Sequence, residues 1–189
     1  MFTGGEHAVF ESEGKTAIVK HTLPGFYGRL MDESVLLDSR TFQMRRKLTM
    51  RGALPSEYLR RWAVLHAVFG IPTTYLGTTG MDVTGLQMAV VQPYIEQDDS
   101  DPAEIHDVVE FMTGHGFTKV DPGLIAIPEV AAVTWYRQRD GLLITDAHAR
   151  NFRKDINGVI IPVDLVVTPL PKGMTQVLPE PLSEWAVSD

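Results

Sequence analysis

The run Leu142-Leu143-Ile144-Thr145-Asp146-Ala147-His148-Ala149-Arg150-Asn151 ends an apolar stretch on an acid and sets an amide five residues later. A second acid follows in Pro162-Val163-Asp164-Leu165. An acid just past one strand, an amide in the next loop and an acid at the end of a paired strand can converge on one point. Two carboxylates and an amide are hard oxygen donors of the kind Mg²⁺ accepts, with water and phosphate oxygens completing its shell. A lone Asp at a strand end is an ordinary turn residue; the joint spacing of Asp146, Asn151 and Asp164 is what points to chemistry. His148 is read as a brace for the loop. A metal-dependent hydrolase built from Asp146, His148 and Asp164 is a competing reading of the same residues.

These groups need strands to hold them. Leu142 to Thr145 and Val159 to Val163 read as strands, and Asn157-Gly158 in the turn from Asp155 is a strong hairpin signal. Upstream, Gly4 to Phe10 and Thr16 to Lys20 read as two short strands around a Glu13-Gly14-Lys15 turn. Thr73 to Leu76 and the apolar Leu86 to Gln92 read as two more, the second central. From Pro55, Tyr58, Trp62, Leu65 and Phe69 recur at helical spacing until Gly70 and Pro72 stop the run. A second helix is expected from Pro102, with Asp101 as N-cap and Ile105, Val108, Val109 and Met112 as its buried stripe. His115 reads as a residue capping that helix's end, and Trp135-Tyr136 as packing residues. Residues 21–53 show no period and carry the basic segment Arg45-Arg46-Lys47 and Arg51, so a long solvated connection is expected there. The proline-rich tail from Thr168 is expected to run extended over the surface.

Composition sets outer bounds. A chain of 189 residues that is 44% hydrophobic can form one core-bearing domain, read as two lobes, 1–92 and 93–189. The net charge of −7 argues against nonspecific binding to nucleic acid or an anionic membrane. The absence of cysteine excludes disulfides and thiolate chemistry and suits a reducing compartment. MFTGGEHAVF has no charged-then-apolar signal pattern, so a cytoplasmic location is expected.

The order of Asp146, Asn151 and Asp164 resembles the protein-kinase-like superfamily, in which an Asp, an Asn five residues later and a metal-binding Asp after the next hairpin form the catalytic centre. The D-x-H-x-x-N run is similar to the aminoglycoside-phosphotransferase branch. GGEHAVF, VVQPYI and TDAHARN with PVDLV are similar to the short polyvalent protein kinase domains of phage-related and mobile-element proteins, and the likeness spans residues 4–168. The resemblance implies an α+β kinase-like fold with an antiparallel β N-terminal lobe and a reduced C-terminal lobe. It implies ATP and Mg²⁺ as cofactors and transfer to an unidentified hydroxyl, with Lys20, Asp146, Asn151 and Asp164 lining one cleft. By position, Asp146 would orient or deprotonate the acceptor, and Asn151 and Asp164 would hold the metal. Lys20 would contact phosphates, and Gln92 to Tyr94 would bind adenine. Glu57 is the candidate acid for Lys20. The chain departs from the family in lacking G-x-G-x-x-G, in having Ile144 where the catalytic-loop histidine is usual, and in carrying Leu165-Val166 after the second acid. Those departures make a pseudokinase, a regulatory module that binds nucleotide without transfer, the alternative.

Overall fold

A computed structural model describes residues 2–3, 5–38, 41–80, 85–97 and 100–178. Gly4 of the GGEHAVF run and Pro179 and Pro181 of the proline-rich tail lie outside the described residues. The chain is mixed α and β with antiparallel sheets, and divides into two compact units. Residues 1–29 and 52–97 form the first, residues 30–51 and 98–189 the second.

In the first unit, β1 (Phe2–Thr3), β2 (His7–Glu11), β3 (Ala17–Thr22), β6 (Thr74–Thr79) and β7 (Gln87–Pro93) form an antiparallel sheet in the order β1-β2-β3-β7-β6. The expected hairpin of β2 and β3 is present, and Gly14 and Lys15 make its turn at φ 78 and 50. β7 lies between two neighbours and is largely buried, as its apolar run requires. Helix α1 (Pro55–Phe69) starts with Pro at its first position and ends where Gly70 adopts φ 70, a left-handed conformation glycine takes without steric cost. Tyr58, Trp62 and Leu65 are its buried stripe. His7 Nε2 lies 3.1 Å from Tyr58 Oη, which fixes the helix against the sheet.

β4 (Arg29–Asp38) and β5 (Gln43–Gly52), which apart from Arg29 and Gly52 belong to the second unit, form a two-stranded ribbon in place of the expected loop. Arg46 pairs with Glu33 at 3.3 Å and Arg51 with Asp32 at 3.1 Å, so the basic segment is held by acids of the facing strand. Beyond it come α2 (Ile105–Gly114), β8 (Thr118–Lys119), α3 (Pro128–Ala131), β9 (Trp135–Arg137), β10 (Leu142–Thr145), β11 (Phe152–Lys154), β12 (Ile160–Pro162) and β13 (Val166–Pro169). The sheet order is β13-β10-β9-β8, with β11 and β12 as a separate hairpin. Its core gathers Met31 and Leu48 of the ribbon with Val120, Tyr136, Leu143 and Met174.

Further expectations fail here: of the stripe expected on α2, Val108 and Met112 are buried but Ile105 and Val109 are exposed. Helix α2 begins three residues late: Glu104 is its N-cap, and its N–H donates to Asp107 Oδ2 at 2.8 Å. Asp101 instead pairs with Lys154 at 2.9 Å, a tertiary partner that outcompetes the local cap. The tail from Thr168 does not simply run over the surface. Val166 to Pro169 pair with β10, and Leu170 and Met174 are buried. His115 does cap the end of α2, where its Nδ1 lies 2.8 Å from Phe111 O, and Trp135 and Tyr136 are buried packing residues on β9.

Candidate functional site

Three independent contacts bring Asp146, Asn151 and Asp164 to one end of the β10–β13 ladder. Thr145 at the end of β10 is paired with Val166 at the start of β13, so the residues just outside that pair share the same sheet end. Asp146 follows Thr145 directly, and Asp164 precedes Val166 by two. Val163 N–H donates to Asn151 O at 2.8 Å, tying the segment that carries Asp164 to the loop that carries the amide. Asn151 Nδ2 then donates to both Asp146 O and Asp146 Oδ2, each at 2.9 Å.

The loop between the acid and the amide is stiffened throughout. Asp146 sits at φ 61, a left-handed conformation in which Asp and Asn are the least penalised residues with a side chain. His148 N–H donates to Asp146 O at 2.9 Å, and Asn151 N–H donates to His148 O at 2.8 Å. His148 Nε2 lies 3.1 Å from Asp146 Oδ1, in keeping with the bracing role. Beneath the loop, Thr134 and Thr145 join their hydroxyls at 2.9 Å in a buried contact, and Thr134 Oγ1 donates to Val130 O at 2.7 Å. That threonine pair anchors the end of β10, and the sequence offered no signal for it.

The donors suit the ion the spacing suggested. Both hydrogen bonds of Asn151 Nδ2 go to acceptors, which assigns the amide's orientation and leaves Oδ1 on its other side. Asn151 Oδ1 and the carboxylates of Asp146 and Asp164 are all oxygen donors, the type that hard cations rather than soft metals take.

Lys20, Gln92 and Tyr94 stand in the first unit. Lys20 occupies the middle strand of five, paired with Val9 and Val90. Its side chain is buried, with the ammonium 4.9 Å from the centre of the Trp62 ring. Gln92 pairs with Ile18 and donates from Nε2 to Thr73 Oγ1 at 3.0 Å. Tyr94 N–H donates to Thr16 O at 3.1 Å, and Lys15 Nζ lies 5.8 Å from its ring. Glu57 caps the start of α1 by accepting from Leu54 N–H at 2.8 Å. A buried ion pair missed by the sequence reading joins Arg61 to Glu6. The signal available for it was a cation lying on the apolar stripe of α1.

No family model matches the chain, and no curated protein or solved structure matches it either. Among the described residues no helix is long and apolar enough to cross a membrane.

Proposed function

We propose that this protein is an ATP- and Mg²⁺-dependent phosphotransferase of the protein-kinase-like class, working in the cytoplasm on a hydroxyl acceptor. The observation that carries the reading is the meeting of Asp146, Asn151 and Asp164 at one end of the β10–β13 ladder. Supporting it are a lysine buried on the third strand of an antiparallel sheet and the exit of Gln92 to Tyr94 from the end of β7. Phosphoryl transfer is mostly positioning plus neutralisation of charge that develops on the phosphoryl oxygens, and Mg²⁺ supplies much of the neutralisation. Asn151 Oδ1 and the Asp164 carboxylate are the residues that would hold it. Asp146 would orient the acceptor hydroxyl and take its proton, with His148 and Asn151 beside its carboxylate. Lys20 is the cation that the family resemblance assigns to nucleotide phosphates.

A nucleotide-binding module without transfer is the second reading, and one observation favours it: both Asp146 oxygens are engaged inside the loop, Oδ1 beside His148 and Oδ2 by Asn151. Thermal melts with ATP, with and without Mg²⁺, and intact-mass analysis for autophosphorylation separate the two. For a transferase, Asp164→Asn removes the Mg²⁺-dependent stabilisation by nucleotide, since a ligand stabilises only through its affinity for the folded state. Asp146→Asn keeps that stabilisation and lowers turnover by about 10²- to 10⁴-fold. A parent chain that Mg²⁺-ATP does not stabilise at all overturns both readings.

A further inference from the structure

The β4–β5 ribbon has an anchored base and an uncovered outer half. At the base, Met31 and Leu48 are buried in the second unit's core, Met31 N–H donates to Thr168 Oγ1 at 3.1 Å, and Leu48 bridges to Ile125. Further out, Val35, Leu36 and Leu37 are all exposed. Consecutive strand residues point to opposite faces, so neither face of β4 is covered there. On the returning side Phe42 is 80% and Met44 63% exposed, and Phe42 is held at φ 54 with its N–H on Asp38 O. A ribbon of two strands is marginal in water without a third strand or a packed face. Clustered exposed apolar side chains of this kind mark an interaction surface.

The charges say what covers it. β4 carries Asp32, Glu33 and Asp38 and no cation after Arg29, whereas β5 carries Arg45, Arg46, Lys47 and Arg51 and no acid. Within the chain these strands already attract each other, Arg45 reaching Asp38 at 3.6 Å. A ribbon with one acidic and one basic strand is complementary to the same ribbon turned over. In a two-fold pair, β4 of one copy lies against β5 of the other, acids meet arginines twice, and the apolar tips bury one another.

We propose that the outer half of the β4–β5 ribbon is a homodimerisation surface, occupied by the same ribbon of a second copy. Sedimentation velocity of the full chain over about 1–100 µM reads this directly, with a shift toward twice the monomer mass expected in that range. The double variant Leu37→Ser, Met44→Ser raises the dissociation constant by about tenfold or more, with unchanged circular dichroism. Should that variant fail to fold, charge reversal decides. Asp38→Lys and Arg45→Glu each sediment as monomers alone, and an equimolar mixture of the two restores the dimer, because only pairing between copies joins the surviving Asp38 to the surviving Arg45. A parent that stays monomeric throughout overturns the proposal. So does a dimer indifferent to all these changes, or one whose two charge variants fail to recombine, since each of these places the contact elsewhere.

Discussion

Asp146 combines a left-handed backbone with a carboxylate that organises its loop, and a series of substitutions separates the two contributions. The conformation at φ 61 costs an ordinary side-chain-bearing residue about 1–2 kcal/mol, less for Asp or Asn. The bond from Asn151 Nδ2 to Oδ2 is of the charged class, about 1.5–3 kcal/mol when shielded. The Asp146 side chain is 49% exposed, and solvent screening reduces that to about 1 kcal/mol. Asp146→Ala therefore loses the bond and takes the full steric cost, about 2–3 kcal/mol. Asp146→Gly loses the same bond and escapes the steric cost, but adds about 0.5–1 kcal/mol of chain entropy, for a total of about 1.5–2 kcal/mol. Asp146→Asn keeps both the local bonding and the tolerated conformation and loses less than either. Urea unfolding followed by two spectroscopic probes ranks the variants by midpoint at constant slope. A glycine variant less stable than the alanine one refutes the assignment of strain. An asparagine variant as unstable as alanine refutes the account of the hydrogen bonds.

Two further outcomes follow from single positions. Gly28 sits at φ 82, and a Cβ built there would run into the Glu6 carboxylate that Arg61 holds, so Gly28→Ala should cost more than the ~1 kcal/mol of a typical point substitution, read as a lowered melting temperature. Asp155 accepts from Val159 N–H at 2.8 Å and Asn157 N–H at 2.9 Å, and the bond from Val159, the larger cause, holds its carboxyl below the usual aspartate range. A pKa lowered in the folded state adds stability above the unfolded value that is lost as pH falls through the folded one. The stability difference between the parent and Asp155→Asn should therefore be constant near neutrality and shrink in acid; a difference flat through that range contradicts the linkage.

The elements easiest to read were those whose pattern and tertiary role agree. Helix α1 shows its stripe at Tyr58, Trp62 and Leu65 because one face is buried and one is not, and its punctuation by Pro55 and Gly70 is purely local. β10 was legible as an apolar run ending in Asp146. The ribbon was not, because a strand exposed on both faces has no alternation to display, and Arg45-Arg46-Lys47 look like solvated charges until their acids on β4 are known. Asp101-Pro102 carried a sound local start signal that Lys154, 53 residues away, overrode. β9 and β13 are three and four residues long and nearly all buried, too short for a period to register. The spacing of Asp146, Asn151 and Asp164 was visible in the sequence. The left-handed turn at Asp146 and the Thr134–Thr145 anchor that hold the loop in shape were not, since each is set by side-chain contacts with no sequence period, His148 and Asn151 on Asp146 and one threonine hydroxyl on the other.

The placement of the ribbon also fixes an order of events during synthesis. Met31 and Leu48 belong to a core completed by Leu143, Leu170 and Met174, which leave the ribosome long after them. At about 5–20 residues per second, the stretch from the end of β5 to Met174 takes roughly 6–25 s to make. Throughout that interval a segment with apolar side chains at 30, 31, 35–37, 42, 44, 48 and 50 has no core to enter. The first unit, whose own chain is finished by Gln97, is free to form in the meantime. Until those residues are made the ribbon's apolar side chains stay exposed, and slowing translation downstream of residue 97 lengthens that exposure in direct proportion.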